Sequence, residues 1–165
     1  MTVDIGQRVM PCLWFNDQAE EAARFYTSLF KNSGIKAVSR YGKAGAEQAG
    51  RPEGSVMTVI FELEGQELMA LNGGPQFTFS PAISLVANCE TQRELDELWE
   101  KLSAGGEKGP CGWLTDRYGV SWQIVPTFIR QVFASEDQTR QERVMQAILG
   151  MTKLDLQRLR DAWQG

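Results

Sequence analysis

One order of elements occurs twice along this chain, and it constrains the fold more than any single motif. Residues 10–15 read as a strand, and a helix follows at once. In that helix Asp17 and Glu20 are spaced as a capping-box pair, and Ala22, Phe25, Tyr26, Leu29 and Phe30 recur at helical spacing. Asn32-Ser33-Gly34 is its stop signal. Strands are then expected at 35–41, 55–63 and 66–72, with Glu64-Gly65 as a tight turn between the last two. The order restarts with a strand at 82–87, a capping box of Thr91 and Glu94, and a stripe of Leu95, Leu98, Trp99 and Leu102 ended by Gly105-Gly106. It closes on the hairpin GWLTDRYGVSWQIVP, residues 112–126, whose turn is Asp116-Arg117-Tyr118-Gly119.

The expected fold class is therefore α+β, with paired βαβββ modules at about residues 8–74 and 80–126 inside a domain 1–126. Residues 127–165 are expected as a C-terminal helical tail that packs on the body or on a dimer partner. Val144, Ala147, Ile148 and Met151 make one apolar stripe there, and Thr152 with Asp155 caps a second helix carrying Leu156, Leu159 and Trp163. Residues 42–54 hold four glycines and no large apolar side chain, so they read as a loop, either a solvated connection or a lid.

Bulk properties narrow the function. The net charge of −4 and pI near 5.0 argue against nucleic acid and anionic membrane as partners. No apolar run approaches the roughly 20 residues of a membrane span, and the N-terminus lacks a signal-peptide core. The three cysteines, Cys12, Cys89 and Cys111, form no CxxC pair and read as reduced thiols, so the expected location is cytoplasmic. The chain has no histidine, which removes the commonest general base and metal ligand. In the last strand Val120, Trp122 and Ile124 alternate with Ser121 and Gln123; a small polar face of this kind suits the lining of a cup.

Leu13-x-Phe15 followed by AEEAARFYTSLF (residues 19–30), together with CGWLTDRYGVSWQIVP (residues 111–126), resembles the PhnB-like branch of the vicinal oxygen chelate superfamily. That is the glyoxalase and bleomycin-resistance fold, and members of the branch are often labelled demethylubiquinone methyltransferase. The resemblance runs from about Arg8 to the C-terminus and includes RVMQAILGMTKLDLQRL (residues 143–159). It implies two modules whose sheets curl around a cavity, usually in a homodimer.

Metal-using relatives place one ligand on the first and last strand of each module. Those positions correspond here to Met10, Ala70 (or Asn72 if the register differs by two), Ala82 and Gln123. None offers imidazole, thiolate or carboxylate, so no metal is expected. The methyltransferase label implies S-adenosylmethionine, but the turn Asn16-Asp17-Gln18 after the first strand lacks the glycines of a nucleotide-binding loop.

Side chains two apart on a strand share a face. The face of the vacated positions should carry Met10, Cys12 and Trp14; Leu68, Ala70 and Asn72; Ala82, Ser84 and Val86; and Ser121, Gln123 and Val125. Leu13, Phe15, Met69, Leu71, Ile83, Leu85, Trp122 and Ile124 should pack on the helices. The expected ligand-binding set is Cys12, Trp14, Asn72, Ser84, Trp113, Ser121 and Gln123. Gln123 and Asn72 are amides that must find a partner in protein or ligand, and Trp14 and Trp113 are either stacking platforms or core aromatics. No catalytic residue is assigned. The expected function is a metal-free, homodimeric small-molecule-binding protein that binds or sequesters a small aromatic or hydrophobic metabolite. The alternative is an enzyme on such a metabolite, with S-adenosylmethionine as cofactor if it transfers methyl groups.

Overall fold

The computed structural model describes residues 7–165. Contacts divide the chain into two compact units, the first ending at Thr78 and the second spanning Phe79–Gly165.

The first unit runs β1 (Cys12–Phe15), α1 (Ala19–Leu29), β2 (Gly34–Arg40), α2 (Lys43–Ala49), β3 (Val56–Leu63) and β4 (Gln66–Asn72). Its four-stranded sheet has the order β1-β4-β3-β2, with β1 parallel to β4 and the other neighbours antiparallel. Glu64 and Gly65 both take positive φ, 46° and 85°, which is the turn whose twist suits a two-residue hairpin. Ala19, Ala22, Ala23 and Tyr26 form the buried face of α1. They lie on Val59, Phe61 and Leu68, and each large apolar side chain sealed there contributes about 1.5–3 kcal/mol.

Two expectations for this unit need correction. Asp17 does not cap α1, whose N-cap is Gln18 with no side-chain hydrogen bond. Phe15 and Asn72 are register partners, so the helix starts beside the end of β4, and Asn72 Oδ1 accepts the Ala19 N–H at 2.8 Å. The glycine-rich stretch is also not all loop, because Lys43–Ala49 is helical. Its alanines, Glu47 and Gln48 are good helix formers, and Gly50 at φ 63° ends it in the left-handed conformation.

The second unit repeats the architecture: β5 (Ser84–Cys89), α3 (Gln92–Ser103), β6 (Glu107–Lys108), β7 (Trp113–Thr115) and β8 (Ser121–Pro126), in the sheet order β5-β8-β7-β6. The paired βαβββ arrangement is thus present. Thr91 caps α3 by accepting the Glu94 N–H at 3.2 Å, and the Glu94 carboxylate takes the Glu90 N–H at 2.8 Å. The β7–β8 hairpin is fixed by Asp116, only 2% exposed. Its Oδ1 accepts the N–H groups of Tyr118 and Val120 at 2.9 and 3.0 Å, and Oδ2 accepts the Trp122 indole N–H at 2.9 Å.

Three tail helices follow: α4 (Phe128–Ala134), α5 (Gln138–Leu149) and α6 (Leu156–Gln164). Asp137 and Asp155 are their side-chain N-caps for α5 and α6, so Asp155 itself rather than Thr152 starts the last helix. The tail is clipped to the second module. Cys111 and Gly112 donate their N–H groups to the carbonyls of Met151 and Thr152, each at 2.8 Å. A Cβ on Gly112 would meet Ile124 O at 2.8 Å and the Leu154 side chain at 3.1 Å, so that crossing needs glycine. Gln92 adds a second tie, donating to Leu154 O and accepting the Leu156 N–H.

Candidate functional site

Cross-strand register partners point to the same side of a sheet. In the second module this gives two rows on the face turned away from α3. Ser84, Ser121 and Thr115 make a hydroxyl row, and Val86, Gln123 and Trp113 make the next. Gln123 reaches across the rows, its Nε2 donating to Ser84 Oγ at 2.9 Å. The opposite face, with Trp122, Ile124 and Leu114 each 2% exposed or less, packs on α3. The structure therefore brings together four of the expected site residues, Ser84, Trp113, Ser121 and Gln123. Thr115, absent from the expectation, joins them; it lies two residues after Trp113 along β7, so counting two on from that expected residue finds it. A groove of about 150 Å³ whose lining includes Pro81, Glu107, Lys108, Trp113, Thr115 and Ser121 opens beside this face, with the Lys108 ammonium held by Glu100.

The first module differs from expectation by one residue of register. Cys12 pairs with Met69 and Trp14 with Leu71, while Leu13 and Phe15 pair with Ala70 and Asn72. Leu68, Ala70 and Asn72 therefore share the α1 face, and Met69 and Leu71 join Cys12, Trp14, Ile60 and Thr58 on the other. A slip of one exchanges the two faces of a strand. Asn72 is 6% exposed. Besides capping α1 it donates Nδ2 to Val56 O at 3.1 Å, and its own carbonyl accepts the Tyr41 hydroxyl at 2.6 Å. Both ends of its side-chain amide are thus engaged, on the face that packs on α1. Trp14 is on the expected face, but its indole N–H is held by Gly74 O at 2.9 Å and its ring meets Phe77 edge-on at 5.0 Å. A Cβ on Gly73 would lie 2.2 Å from that indole, so Trp14 is a clamp on the chain leaving β4.

Of the vacated positions, Met10 precedes β1, Ala70 is buried on the α1 face, and Ala82 and the 75%-exposed Ile83 lie ahead of β5. Counted back from the last paired residues, Asn72 and Pro126, Met69 and Gln123 each lie three residues earlier and are counterparts. Thioether, hydroxyl and amide groups do not fit a catalytic transition-metal site. Among the described residues no three His, Cys, Asp or Glu side chains cluster to hold a metal ion.

Nucleophiles are equally ill-supplied. Cys12 is exposed, yet partial burial of its thiol pushes its pKa up, and burial with help from the Glu94 charge pushes Cys89 to about 12. Both favour the unreactive thiol. Another groove, about 390 Å³, lies elsewhere, between the starts of α3 and α6. Of its polar side chains, Thr91, Gln92 and Asp155 are occupied by backbone groups, while Glu90, Gln157 and Arg160 complete the lining.

A family model described as 3-demethylubiquinone-9 3-methyltransferase matches residues 7–125, leaving the helical tail outside it. Among solved structures, a PhnB protein from Bacillus cereus with the same methyltransferase name is 41% identical. The match covers 73% of this chain and 100% of that one at a TM-score of 0.65. Protein PA1353 from Pseudomonas aeruginosa is 24% identical over 72% of this chain and 96% of its own, with a TM-score of 0.56. The fosfomycin resistance protein FosX from Listeria monocytogenes is further away, at 15% identity over 72% and 90% of the two chains and a TM-score of 0.46. No curated protein matches the chain.

Proposed function

The chain belongs to the 3-demethylubiquinone-9 3-methyltransferase, PhnB-like family, and from that premise we propose that it is a metal-free binding protein for a small aromatic or hydrophobic metabolite. The observation that carries this is the second module's open face. Three hydroxyls, one anchored amide and a half-buried indole occupy neighbouring register positions there, beside a groove. A few fixed polar groups against an aromatic wall hold a ligand and orient it, with the Glu107 carboxylate at the outer end of the hydroxyl row.

The family's name favours a second reading, methyl transfer from S-adenosylmethionine. The residues present do not fit that cofactor on a doubly wound sheet, because both sheets are mixed and four-stranded and Asn16-Asp17-Gln18 contains no glycine. We place the protein in the cytoplasm as a homodimer. Three free cysteines support the compartment, and no described helix is long and apolar enough to cross a membrane. The exposed tail side chains Phe133 and Leu149, 44% and 66% exposed, support a partner surface.

A thermal-shift screen of untagged protein, paired with native mass spectrometry, tests the binding reading. Stabilisation by small aromatics, lost in Gln123→Leu and Trp113→Ala, is expected. Stabilisation by S-adenosylmethionine alone would replace the binding reading with the enzymatic one, and a monomeric mass would remove the dimer.

A further inference from the structure

We infer that the second module's open face reads a cyclic amide edge, a ring N–H beside a ring C=O, on a planar aromatic ligand. This rests on the small-molecule reading above and names the ligand class for it. Gln123 is the source of the selectivity. One N–H of its amide is spent on Ser84 Oγ at 2.9 Å, which fixes the plane of the group. Among the described residues its Oε1 has no protein partner and is not sealed from solvent, so it stays open to a ligand. What remains is one acceptor, Oε1, beside one donor, the second N–H of Nε2. That edge pairs with a group offering a donor and an acceptor side by side, which is the edge of a lactam or imide. Exchanging the nitrogen and oxygen of the Gln123 amide leaves the same pairing, with Ser84 then donating.

The surroundings select for a flat, aromatic carrier of that edge. Trp113 is the direct cross-strand partner of Gln123 and Val86 its partner on the other side, so the amide is flanked by an indole and an aliphatic wall. Among the described residues the Trp113 indole N–H, unlike those of Trp14 and Trp122, has no hydrogen-bond partner. The adjoining groove of about 150 Å³ is of the size that accepts a single benzene ring. The charged side chain in the rows is Glu107, the cross-strand partner of Thr115, and its carboxylate repels an anion, so a neutral edge is favoured over a carboxylate or phosphate.

The test compares three probes by isothermal titration and Trp fluorescence on the full chain: 2-quinolone, N-methyl-2-quinolone and naphthalene. The expected result is that 2-quinolone binds at least tenfold more tightly than the other two, and that Gln123→Leu removes this preference while unfolding at the same temperature. Ser84→Ala should weaken the preference several-fold by freeing the amide plane. Equal binding of all three probes, still abolished by Trp113→Ala, would overturn the amide-edge inference and leave aromatic binding standing. Absence of binding by any of them would overturn both.

Discussion

The two modules share one topology and differ in what they do with it. Both sheets run first strand, fourth, third, second, and both bury one face on a helix. On the opposite faces the first module carries Cys12, Met69, Ile60, Trp14 and Leu71, while the second carries Ser84, Ser121, Thr115, Gln123 and Trp113. The first has its indole bolted to the backbone and its amide spent on a helix cap; the second leaves an indole and an amide edge open. Duplicated architecture therefore does not imply duplicated chemistry. The polar groups that could bind are those the fold has not already used.

The largest way to break this comparison is at Asp116. Asp116→Ala strands the buried N–H groups of Val120 and the Trp122 indole, at about 1–3 kcal/mol each. Thermal unfolding should fall by roughly 10 °C. A loss within a degree or two would mean that the hairpin is held by packing alone.

Next comes the contrast between caps. Asn72→Ala removes a cap on α1 and a donor to Val56 O together, and should cost about 2–3 kcal/mol by chemical denaturation. Thr91→Ala removes a local cap from α3 and should cost about 1 kcal/mol. Equal losses would show that Asn72 is no more than an ordinary cap.

The last effect concerns Cys89 and is confined to high pH. Its folded-state pKa is raised from 9.0 to about 12, so the stability it contributes is whole below pH 9 and is lost as pH climbs towards 12. The stability of the natural chain relative to Cys89→Ala should decline over that window, and a flat difference would show that the thiol is not sealed.

Much of this was legible in the sequence. Residues 66–72, Thr91 with Glu94, and the Asp116 turn all depend on contacts within a few residues, which spacing reports well. The α1 cap was not legible, because its acceptor comes from Asn72, and only the parallel pairing of β1 with β4 brings that residue there. The same long-range register decided which alternate residues of β4 face outward; its apolar run of Leu68 to Leu71 contains no polar–apolar alternation to read. In β8 the alternation of Ser121 and Gln123 with Trp122 and Ile124 carries that information, and there the expected face is the observed one.

The most direct measurement is a titration of ¹⁵N-labelled protein with 2-quinolone, following the Gln123 side-chain amide and the indole N–H resonances of Trp113 and Trp14. The expected result is movement of the Gln123 and Trp113 signals with Trp14 stationary. Movement of Trp14 while Gln123 and Trp113 stay fixed would contradict the assignment of ligand binding to the second module.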